Sequence, residues 1–584
     1  MNSRLRFVAF LVQWIAIFTT GSALALDLSP ALKNGQETDV IIVGAGLAGL
    51  SAALEAGRAG ANVLVVDEAS IFGGHAIMSG GDVSIVDTPF QHAKNVQDSA
   101  DLAYRDFMKW GEDNDTEWVR LYVEHSKVEI YDWLTALGVT FYDLTSNWGN
   151  SVPRIHQTAG LGLGLVRPVY LECLRHGNIS FVWNTEVTSL LTRSGSVVGV
   201  RAKNLRTDIE NSFASKAVIL ATGGFQSNSA FALAHWPKDL PKPPVLLAGS
   251  GVNSKGSGLA LATAAGASLT RLDHQWNYIS GLPDPRYPGL NRGLSVDVDG
   301  MLVNRNGETF MPKAPTSVPD RLSIALHQPD ATYWRIFDER AKASFWVSGT
   351  DWAKFATIQR VLLDDRSVVK RAASLQDLAE MVHLPIDRLI ASVARYNKNS
   401  KEGHRIESPP FYAAQYYPLG RKSMGGISID HQARAVNASA HAIRGLYAAG
   451  EATGEAGING KRALEGTFLG PAVITGRVAA RTAIQDFSIR GSQHQVPTED
   501  NVAAEPPASM NTQECLNCHH MQSMVDNLRR GFWHFERVHK MTLESDQDCQ
   551  TCHTGMGEPN TIGHHISLRA EANTCDICHQ SRSN

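Results

Sequence analysis

Hydrophobic and polar positions near the start of the chain predict a strand, a turn, a helix and a second strand. Residues 39–43 (DVIIV) form an apolar run that is typical of a strand buried in a parallel sheet. Small residues follow, and a helical stretch extends to about Gly60. Residues 62–66 (NVLVV) form a second apolar run, which ends at Asp67. This order of elements predicts an α/β fold.

Two later segments repeat the pattern of an apolar run that ends in small residues. Residues 217–224 (AVILATGG) predict a strand leading into a tight turn. Residues 445–451 (GLYAAGE) predict another strand, which ends in a glycine and an acid. Both segments are candidates for the same sheet as the first two strands.

The first residues have the pattern of an export signal. Arg4 and Arg6 precede an apolar run at residues 7–18, and Ala23 and Ala25 form an A-x-A cleavage pattern. The run is shorter than the roughly 20 apolar residues that span a bilayer. We therefore expect a cleaved signal peptide at residues 1–25 and a periplasmic mature chain without a membrane span.

Composition excludes several classes of protein. The 584 residues are 43% hydrophobic and 19% charged, and the formal net charge is −4. These values are typical of a globular protein, and the length allows two to four domains. The balance of charge gives no reason to expect nucleic acid as a partner.

Cysteines are concentrated at the end of the chain. Six of the seven lie after residue 514, in three copies of C-x-x-C-H. This motif attaches c-type haem through two thioethers, and its histidine is the proximal iron ligand. Structural zinc would use the cysteine pairs two at a time, leaving one pair over, and would not explain the histidines. The predicted attachment cysteines are Cys515, Cys518, Cys549, Cys552, Cys575 and Cys578, and the predicted proximal ligands are His519, His553 and His579.

Five other histidines of this tail compete for the three sixth coordination positions. His539 and His565 each precede a later attachment motif, and His534 or His520 is the third choice; His564 is the remaining candidate. We expect residues 511–584 to form a small triheme cytochrome domain in which haem supplies much of the core. A polar, proline-containing linker at residues 489–510 precedes it.

The turn after the first predicted strand has a dinucleotide-binding fingerprint. Gly44, Gly46 and Gly49 form G-x-G-x-x-G, which allows a tight turn and a close approach of the backbone to a pyrophosphate. Asp67 lies 18 residues past Gly49, where it is placed to accept a hydrogen bond from a ribose hydroxyl. The segments at residues 217–224 and 445–451 resemble those by which two-domain flavoproteins hold the dinucleotide, and this resemblance favours FAD over NAD.

These motifs resemble those of the fumarate reductase/succinate dehydrogenase flavoprotein superfamily, including flavocytochrome c fumarate reductases, urocanate reductase and ketosteroid dehydrogenases. The matching pieces include VIIVGAGLAGLSAALEA, VVDEASIFGGHAIMSGGD, VILATGGF, KSMGGISID and GLYAAGEATG. They extend over roughly residues 38–485. In the known flavocytochromes the haem domain usually precedes the flavin domain, whereas here the predicted haem domain follows it.

The resemblance implies a Rossmann-like FAD-binding domain (residues 38–235 and 401–488) with an inserted α+β capping domain (residues 236–400), followed by the haem domain. FAD is expected to be non-covalent, because the spacing around His75 is one residue shorter than in relatives that attach FAD through histidine. The residues expected to contact FAD are Gly44, Gly46, Ala48, Gly49, Asp67, Glu68, Gly74, His75, Ser79, Gly80, Gly81, Ala221, Thr222, Gly223, Gly450, Glu451 and Leu469.

The resemblance also nominates four substrate residues, although the motifs around them depart from the fumarate pattern. Lys422 stands where fumarate reductases have a ligand histidine, and Arg321 is the nearest match to their proton-donor arginine. Arg462 is the counterpart of a substrate arginine, and His274 lies in the segment that replaces H-P-T. Residues 467–472 (TFLGPA) are more similar to ketosteroid dehydrogenases.

Three functions remain open at this stage. The leading hypothesis is a periplasmic reductase of the activated C=C bond of a small organic acid, with electrons entering through the haems from a quinol-linked cytochrome partner. The second is an FAD-dependent dehydrogenase that oxidises a CH–CH bond, in a ring ketone for example, and passes electrons out to the haems. The third is an electron carrier without a substrate of its own.

Overall fold

The computed structural model describes residues 38–312, 314–348, 352, 354–489, 556–560 and 563–566. The predicted signal peptide, the linker from residue 490 onwards and all three C-x-x-C-H motifs lie outside the described residues, as do His520, His534 and His539. His564 and His565 belong to a described strand, Gly563–Ile566. Within the described residues, no helix is both long and apolar enough to cross a membrane.

The first part of the chain alternates strands and helices, as its apolar pattern predicts. Its strands are β1 (Thr38–Val43), β2 (Val63–Val66), β3 (Val83–Ser84), β4 (Phe141–Thr145), β5 (Ile155–Thr158), β6 (Ile179–Val182), β7 (Thr185–Arg193), β8 (Ser196–Asn204) and β9 (Glu210–Leu220). Its helices are α1 (Leu47–Arg58), α2 (Pro89–Ala93), α3 (Ala100–Trp110), α4 (Thr116–Ser126), α5 (Trp133–Ala136), α6 (Leu161–Arg175) and α7 (Ser229–Ala234).

The middle part is richer in short antiparallel strands. Its strands are β10 (Leu247–Ala248), β11 (Leu269–Thr270), β12 (Gln275–Pro283), β13 (Gly293–Asp297), β14 (Met301–Asn304), β15 (Tyr333–Asp338), β16 (Trp346–Val347) and β17 (Val369–Ala372). Its helices are α8 (Ser257–Ala264), α9 (Val318–Leu326), α10 (Phe355–Ile358), α11 (Leu375–Met381) and α12 (Ile386–Lys398).

The last part returns to the first sheet. Its strands are β18 (Phe411–Ser423), β19 (Gly426–Ile427), β20 (Arg434–Val436) and β21 (Ala442–Ala448), and its helix is α13 (Leu469–Asp486). Two further antiparallel strands are β22 (Met556–Asn560) and β23 (Gly563–Ile566).

The first sheet has the order β20-β21-β9-β1-β2-β6, and β7 and β8 extend it from β9. From β21 to β6 its neighbouring strands are parallel. The four residues of β1 from Val40 onwards are all buried, as expected for a strand covered on both faces. Helix α13 packs on α1 so closely that a Cβ at Gly476 would lie 2.2 Å from the carbonyl oxygen of Ala48.

The second sheet has the order β14-β15-β18-β12-β13-β16. Its long central strand, β18, pairs with both β12 and β15, although it lies beyond residue 400, the predicted end of the capping domain. The second sheet therefore includes a strand from the part of the chain that follows the predicted capping domain. Because β18 ends at Ser423, it carries Arg421 and Lys422 from the capping sheet to the edge of the first sheet.

Candidate active site

One cavity of about 570 Å³ lies at the carboxyl ends of β1, β2, β9 and β21 and continues to the second sheet. We call the part lined by Gly44, Glu68 and His75 the cofactor groove. The part lined by Tyr278 and Lys422 is the substrate end. Ligands of open parallel sheets bind at this edge, because the turns there leave backbone groups free.

Asp67 stabilises the glycine-rich turn through hydrogen bonds. Its two carboxylate oxygens accept hydrogen bonds from the backbone N–H groups of Ala45 at 2.6 Å and Ala69 at 2.7 Å. Burial raises the pKa of Asp67 to about 6, against the opposing effect of these two bonds. Asp67 also lines the groove, and the expected bond from its carboxylate to a ribose hydroxyl stays a prediction. The neighbouring Glu68 lines the groove as well and is a second acid near a ribose; burial and the charge of Asp67 raise its pKa to about 7.

The groove fits a dinucleotide. A Cβ added at Gly46 would meet no atom within 4 Å, so this glycine faces open space at the start of α1, where a pyrophosphate would be stabilised. The hydroxyl of Thr222 lines the same groove, is buried and has no hydrogen-bond partner among the described residues. These residues would hold FAD, with its phosphates at the turn and its ribose near Glu68.

Most of the predicted FAD residues line this one cavity, and three support its walls instead. A Cβ at Gly49 would lie 1.9 Å from the carbonyl oxygen of Gly44, one at Gly81 would meet Leu161, and one at Gly450 would meet Ala48. The cavity-lining members are Gly44, Gly46, Ala48, Asp67, Glu68, Gly74, His75, Ser79, Gly80, Ala221, Thr222, Gly223, Glu451 and Leu469.

His75 and Glu451 meet across the groove. The Nδ1 atom of His75 lies 3.5 Å from a carboxylate oxygen of Glu451 and 3.2 Å from the hydroxyl of Ser250. The other carboxylate oxygen of Glu451 accepts a hydrogen bond from the backbone N–H of Ser423. Burial lowers the pKa of His75, although Glu451 opposes this effect. The pair ties the end of β18 to the groove.

Lys422 enters the substrate end from β18, opposite Trp276 of β12 in the strand register. Its Nζ lies 3.8 Å from the centre of the Phe468 ring, which is a cation–π distance. Burial lowers the pKa of Lys422 to about 8; Glu465 opposes this shift and Arg421 adds to it. The side chain is a cation at neutral pH, placed among aromatic rings.

Arg321 reaches the same space from α9. Its guanidinium forms no hydrogen bond or ion pair with any residue that the structure describes, and burial together with the charge of Arg335 lowers its pKa. A guanidinium stays protonated even so. Arg321 and Lys422 therefore present two positive charges to a ligand in the cavity.

Tyr278 and Glu465 form a hydrogen-bonded pair in the cavity wall. The Tyr278 hydroxyl donates to a carboxylate oxygen of Glu465 at 2.7 Å, and burial, together with the charge of Glu465, raises the pKa of the phenol strongly. Asp82 also lines the cavity. Sequence reasoning selected neither acid. Asp82 ends the matching piece VVDEASIFGGHAIMSGGD, which was an available signal, whereas Glu465 lies in a segment that departs from the family pattern.

Two of the four nominated substrate residues lie outside the cavity lining. Arg462 donates to Ser317 at 2.9 Å, to Asp320 and to Glu112 at 3.3 Å, so it joins the start of α9 to the flavin domain, and the next residue, Ala463, lines the cavity instead. The expected role of Arg462 as a substrate arginine stays a prediction; in this structure its guanidinium binds these three residues.

His274 is the second residue that the cavity does not include. It lies in the turn before β12, with Nε2 3.4 Å from a carboxylate oxygen of Asp113. Trp276 and Tyr278, farther along the chain in β12, line the cavity in its place. The side chains that reach the cavity therefore belong to β12 itself, after the turn that contains His274.

Comparison with known proteins identifies the family. Residues 39–469 match the family model described as an FAD binding domain. The chain is 32% identical over 498 residues to the fumarate reductase (cytochrome) of Shewanella frigidimarina, covering 81% of this chain and 78% of that protein. It is 29% identical over 565 residues to a KsdD-like steroid dehydrogenase of Mycobacterium tuberculosis, covering 79% of this chain and 99% of that protein.

A solved structure of a flavocytochrome has a similar fold. The open conformation of a flavocytochrome c3 fumarate reductase aligns with a TM-score of 0.64 and 27% identity, covering 77% of this chain and 79% of that one. The similarity extends over the flavin and capping parts described above. The chain therefore belongs to the FAD binding domain family of flavoproteins, and it is an FAD-dependent oxidoreductase acting on CH–CH groups, as are its fumarate reductase and ketosteroid dehydrogenase homologues.

Proposed function

We propose that the protein is a periplasmic reductase of the activated C=C bond of a small unsaturated organic acid, supplied with electrons through three c-type haems. The observation that carries this proposal is the pair of cations, Lys422 and Arg321, at the substrate end of the flavin cavity. A carboxylate held between them would gain charge-assisted hydrogen bonds, and an arginine offers a bidentate fork.

FAD, when bound, supplies the hydride that adds to one carbon of the double bond. Lys422 and Arg321 hold the carboxylate and draw electron density from the double bond. A side chain of the cavity wall delivers the proton to the second carbon, and Arg321 is the candidate that the family resemblance nominates.

The remaining charges of the cavity favour one carboxylate in the substrate over two. Ala463 stands beside the position where the resemblance placed a substrate arginine, and Glu465 and Asp82 line the same space. A second carboxylate near these acids would be repelled. We therefore expect a monocarboxylic acid, with its body against Trp276 and Phe468, and poor turnover of fumarate.

The three C-x-x-C-H motifs of the tail support the proposal that haems supply the electrons. Each C-x-x-C-H motif binds one haem, and a haem iron exchanges one electron at a time, so electrons would pair at the flavin. Export through the predicted signal peptide at residues 1–25 fits a compartment where c-type haems are attached. A quinol-linked cytochrome would be the electron donor.

The second candidate function is a dehydrogenase, which catalyses the reaction in the opposite direction. Trp276, Tyr278 and Phe468 give the substrate end an aromatic wall, with ring centres of Trp276 and Phe468 5.7 Å apart. Such a wall also suits the ring of a ketone, and one relative is a steroid dehydrogenase. In this version, Tyr278 would take up a proton and the haems would carry electrons away.

One assay separates the candidates. Purified holoprotein is loaded with reduced viologen, and reoxidation is followed with unsaturated monocarboxylates, fumarate and enones; saturated acids and ring ketones are then tested with an oxidising dye. We expect viologen oxidation with unsaturated monocarboxylates and loss of that activity in Arg321→Gln. Turnover with the dye alone would establish the dehydrogenase, and no turnover in either direction would indicate an electron carrier.

A further inference from the structure

The hydrogen bond between Tyr278 and Glu465 connects two groups that can carry a proton. Their oxygen atoms are 2.7 Å apart, and both side chains line the substrate end of the cavity. Within the part of the chain that the structure describes, Glu465 forms no salt bridge, and Tyr278 is the hydrogen-bond partner of its carboxylate. The carboxyl group of Glu465 is therefore joined to the phenol and to no cation among the described residues.

Asp82 extends this pair towards solvent. It is an exposed residue that also lines the cavity. The backbone N–H of Ser84 donates to the carbonyl oxygen of Gly466 at 2.9 Å, so the segment that carries Asp82 lies beside the segment that carries Glu465. Partial desolvation of the carboxyl group where it lines the cavity raises the pKa of Asp82, with Lys422 opposing and Glu465 reinforcing the shift, as expected for two neighbouring acids.

We propose that Asp82, Glu465 and Tyr278 form a proton path from solvent to the substrate, in which Tyr278 exchanges the proton with the substrate carbon. This inference rests on the proposed function, because reduction of a C=C bond consumes one proton for each hydride. The path serves the dehydrogenase direction equally, since oxidation of a CH–CH bond returns the proton.

Each turnover in the reductase direction moves one proton along the path. As the hydride adds to one carbon of the double bond, the O–H bond of Tyr278 breaks and its proton forms the new C–H bond on the other carbon. The tyrosinate oxygen then regains a proton that passes from water through Asp82 and Glu465, so the phenol and both carboxyl groups return to their starting states.

Arg321 fits the role of proton donor less well. A guanidinium that gives up its proton must be reprotonated, and Arg321 has no hydrogen bond to any described acid or hydroxyl that could do so. It fits better as the group that holds the carboxylate. Tyr278, by contrast, already has a hydrogen-bonded neighbour that can restore its proton.

The charges around the path influence its pH dependence. The Arg421 guanidinium lies 5.7 Å from the centre of the Tyr278 ring, and Lys422 acts electrostatically on both acids. The titratable and charged groups that face the path are Asp82, Arg321, Arg421, Lys422 and Glu465. In the reductase direction, the rate should fall as Asp82 loses its proton, at a pH above the ordinary range of an aspartic acid, because the pKa of Asp82 is raised.

The test compares Tyr278→Phe, Glu465→Gln and the double variant in the full-length holoprotein. Each single variant should lower kcat by about 100-fold or more, the usual contribution of a general acid. The double variant should lose no more than either single one, because both changes break the same path. Binding of a carboxylate ligand, measured by the change in flavin absorbance, should stay within about threefold.

Two further variants sharpen the result. Tyr333→Phe removes the hydroxyl of a fully buried tyrosine outside the cavity and should retain wild-type kcat. Asp82→Asn should lower kcat several-fold and be partly rescued by small buffer acids, which replace it as the donor to Glu465.

A Tyr278→Phe enzyme that keeps kcat within about twofold of wild type, or additive losses in the double variant, would overturn the path while leaving the proposed function intact. Absence of wild-type turnover in both directions would count against both proposals.

Discussion

The Nζ atom of Lys422 lies 3.8 Å from the centre of the Phe468 ring, so this half-buried cation packs against an aromatic face and has no carboxylate within ion-pair distance among the described residues. Burial lowers its pKa to about 8, and the charge of Arg421 contributes to that shift. The ammonium group is therefore largely charged at neutral pH and loses its charge just above it. A bound carboxylate would supply the missing counter-charge.

Carboxylate binding should consequently depend on pH. We expect the KM for an unsaturated acid to rise as the pH increases through about 8, because Lys422 is protonated below this value and neutral above it. Lys422→Met should raise KM about 10- to 100-fold at pH 7, as expected for loss of a hydrogen bond to a charged group. Steady-state kinetics from pH 6 to 10 measure both effects.

Lys422→Arg is the matched control, since a guanidinium keeps its charge throughout this range. Its KM should stay level across pH 8. A wild-type KM that stays flat across pH 8 would contradict the role of Lys422 as a carboxylate ligand.

The two glycines of the cofactor turn should differ when each is changed to alanine. A Cβ at Gly46 faces the empty groove, so Gly46→Ala should weaken FAD binding at least about tenfold and leave the stability of the apoprotein unchanged. A Cβ at Gly49 would lie 1.9 Å from the carbonyl oxygen of Gly44, so Gly49→Ala should destabilise the apoprotein by about 1–3 kcal/mol. FAD titration by fluorescence and urea unfolding of apoprotein separate the two effects. Equal losses of apoprotein stability in Gly46→Ala and Gly49→Ala would contradict the assignment of Gly46 to the open groove that faces the dinucleotide.

Arg462 and Arg321 should also behave differently. Arg462→Gln removes partly exposed contacts to Asp320 and Glu112 and should lower the free energy of unfolding by about 1 kcal/mol, with carboxylate affinity unchanged within threefold. Arg321→Gln should weaken carboxylate binding by about 10- to 100-fold and leave stability unchanged. Binding titrations and chemical denaturation of the two variants provide the comparison. The reverse pattern would return Arg462 to the substrate site.

The haem content of the tail can be counted directly. Pyridine haemochrome analysis should find three haems for each chain, because each C-x-x-C-H motif attaches one. Replacing both cysteines of one motif with alanine should remove one haem from the count, whichever motif is chosen. Flavin content in the same samples serves as the internal control. A count that does not change would contradict haem attachment at that motif.

Sequence alone determined the parts of this protein that depend on local order. The G-x-G-x-x-G turn needs only its neighbouring strand and helix, so Gly44, Gly46 and the acids after β2 could be assigned before any fold was known. The haem motifs are read in the same way, from five consecutive residues, and they remain a prediction because they lie outside the described residues.

Tertiary structure decided what depends on strands that are far apart in sequence. Strand β18 belongs to the capping sheet, and its end contacts Glu451 beside the flavin sheet. The pairing of β18 with β12 brings Lys422 opposite Trp276, which is far away in the sequence, and no local pattern encodes this contact. The same kind of long-range contact joins Arg462 to Asp320, Asp67 to the backbone of Ala45, and Tyr278 to Glu465. Motifs identify residue types suited to a reaction, whereas the packing of distant segments decides which of those side chains share one space.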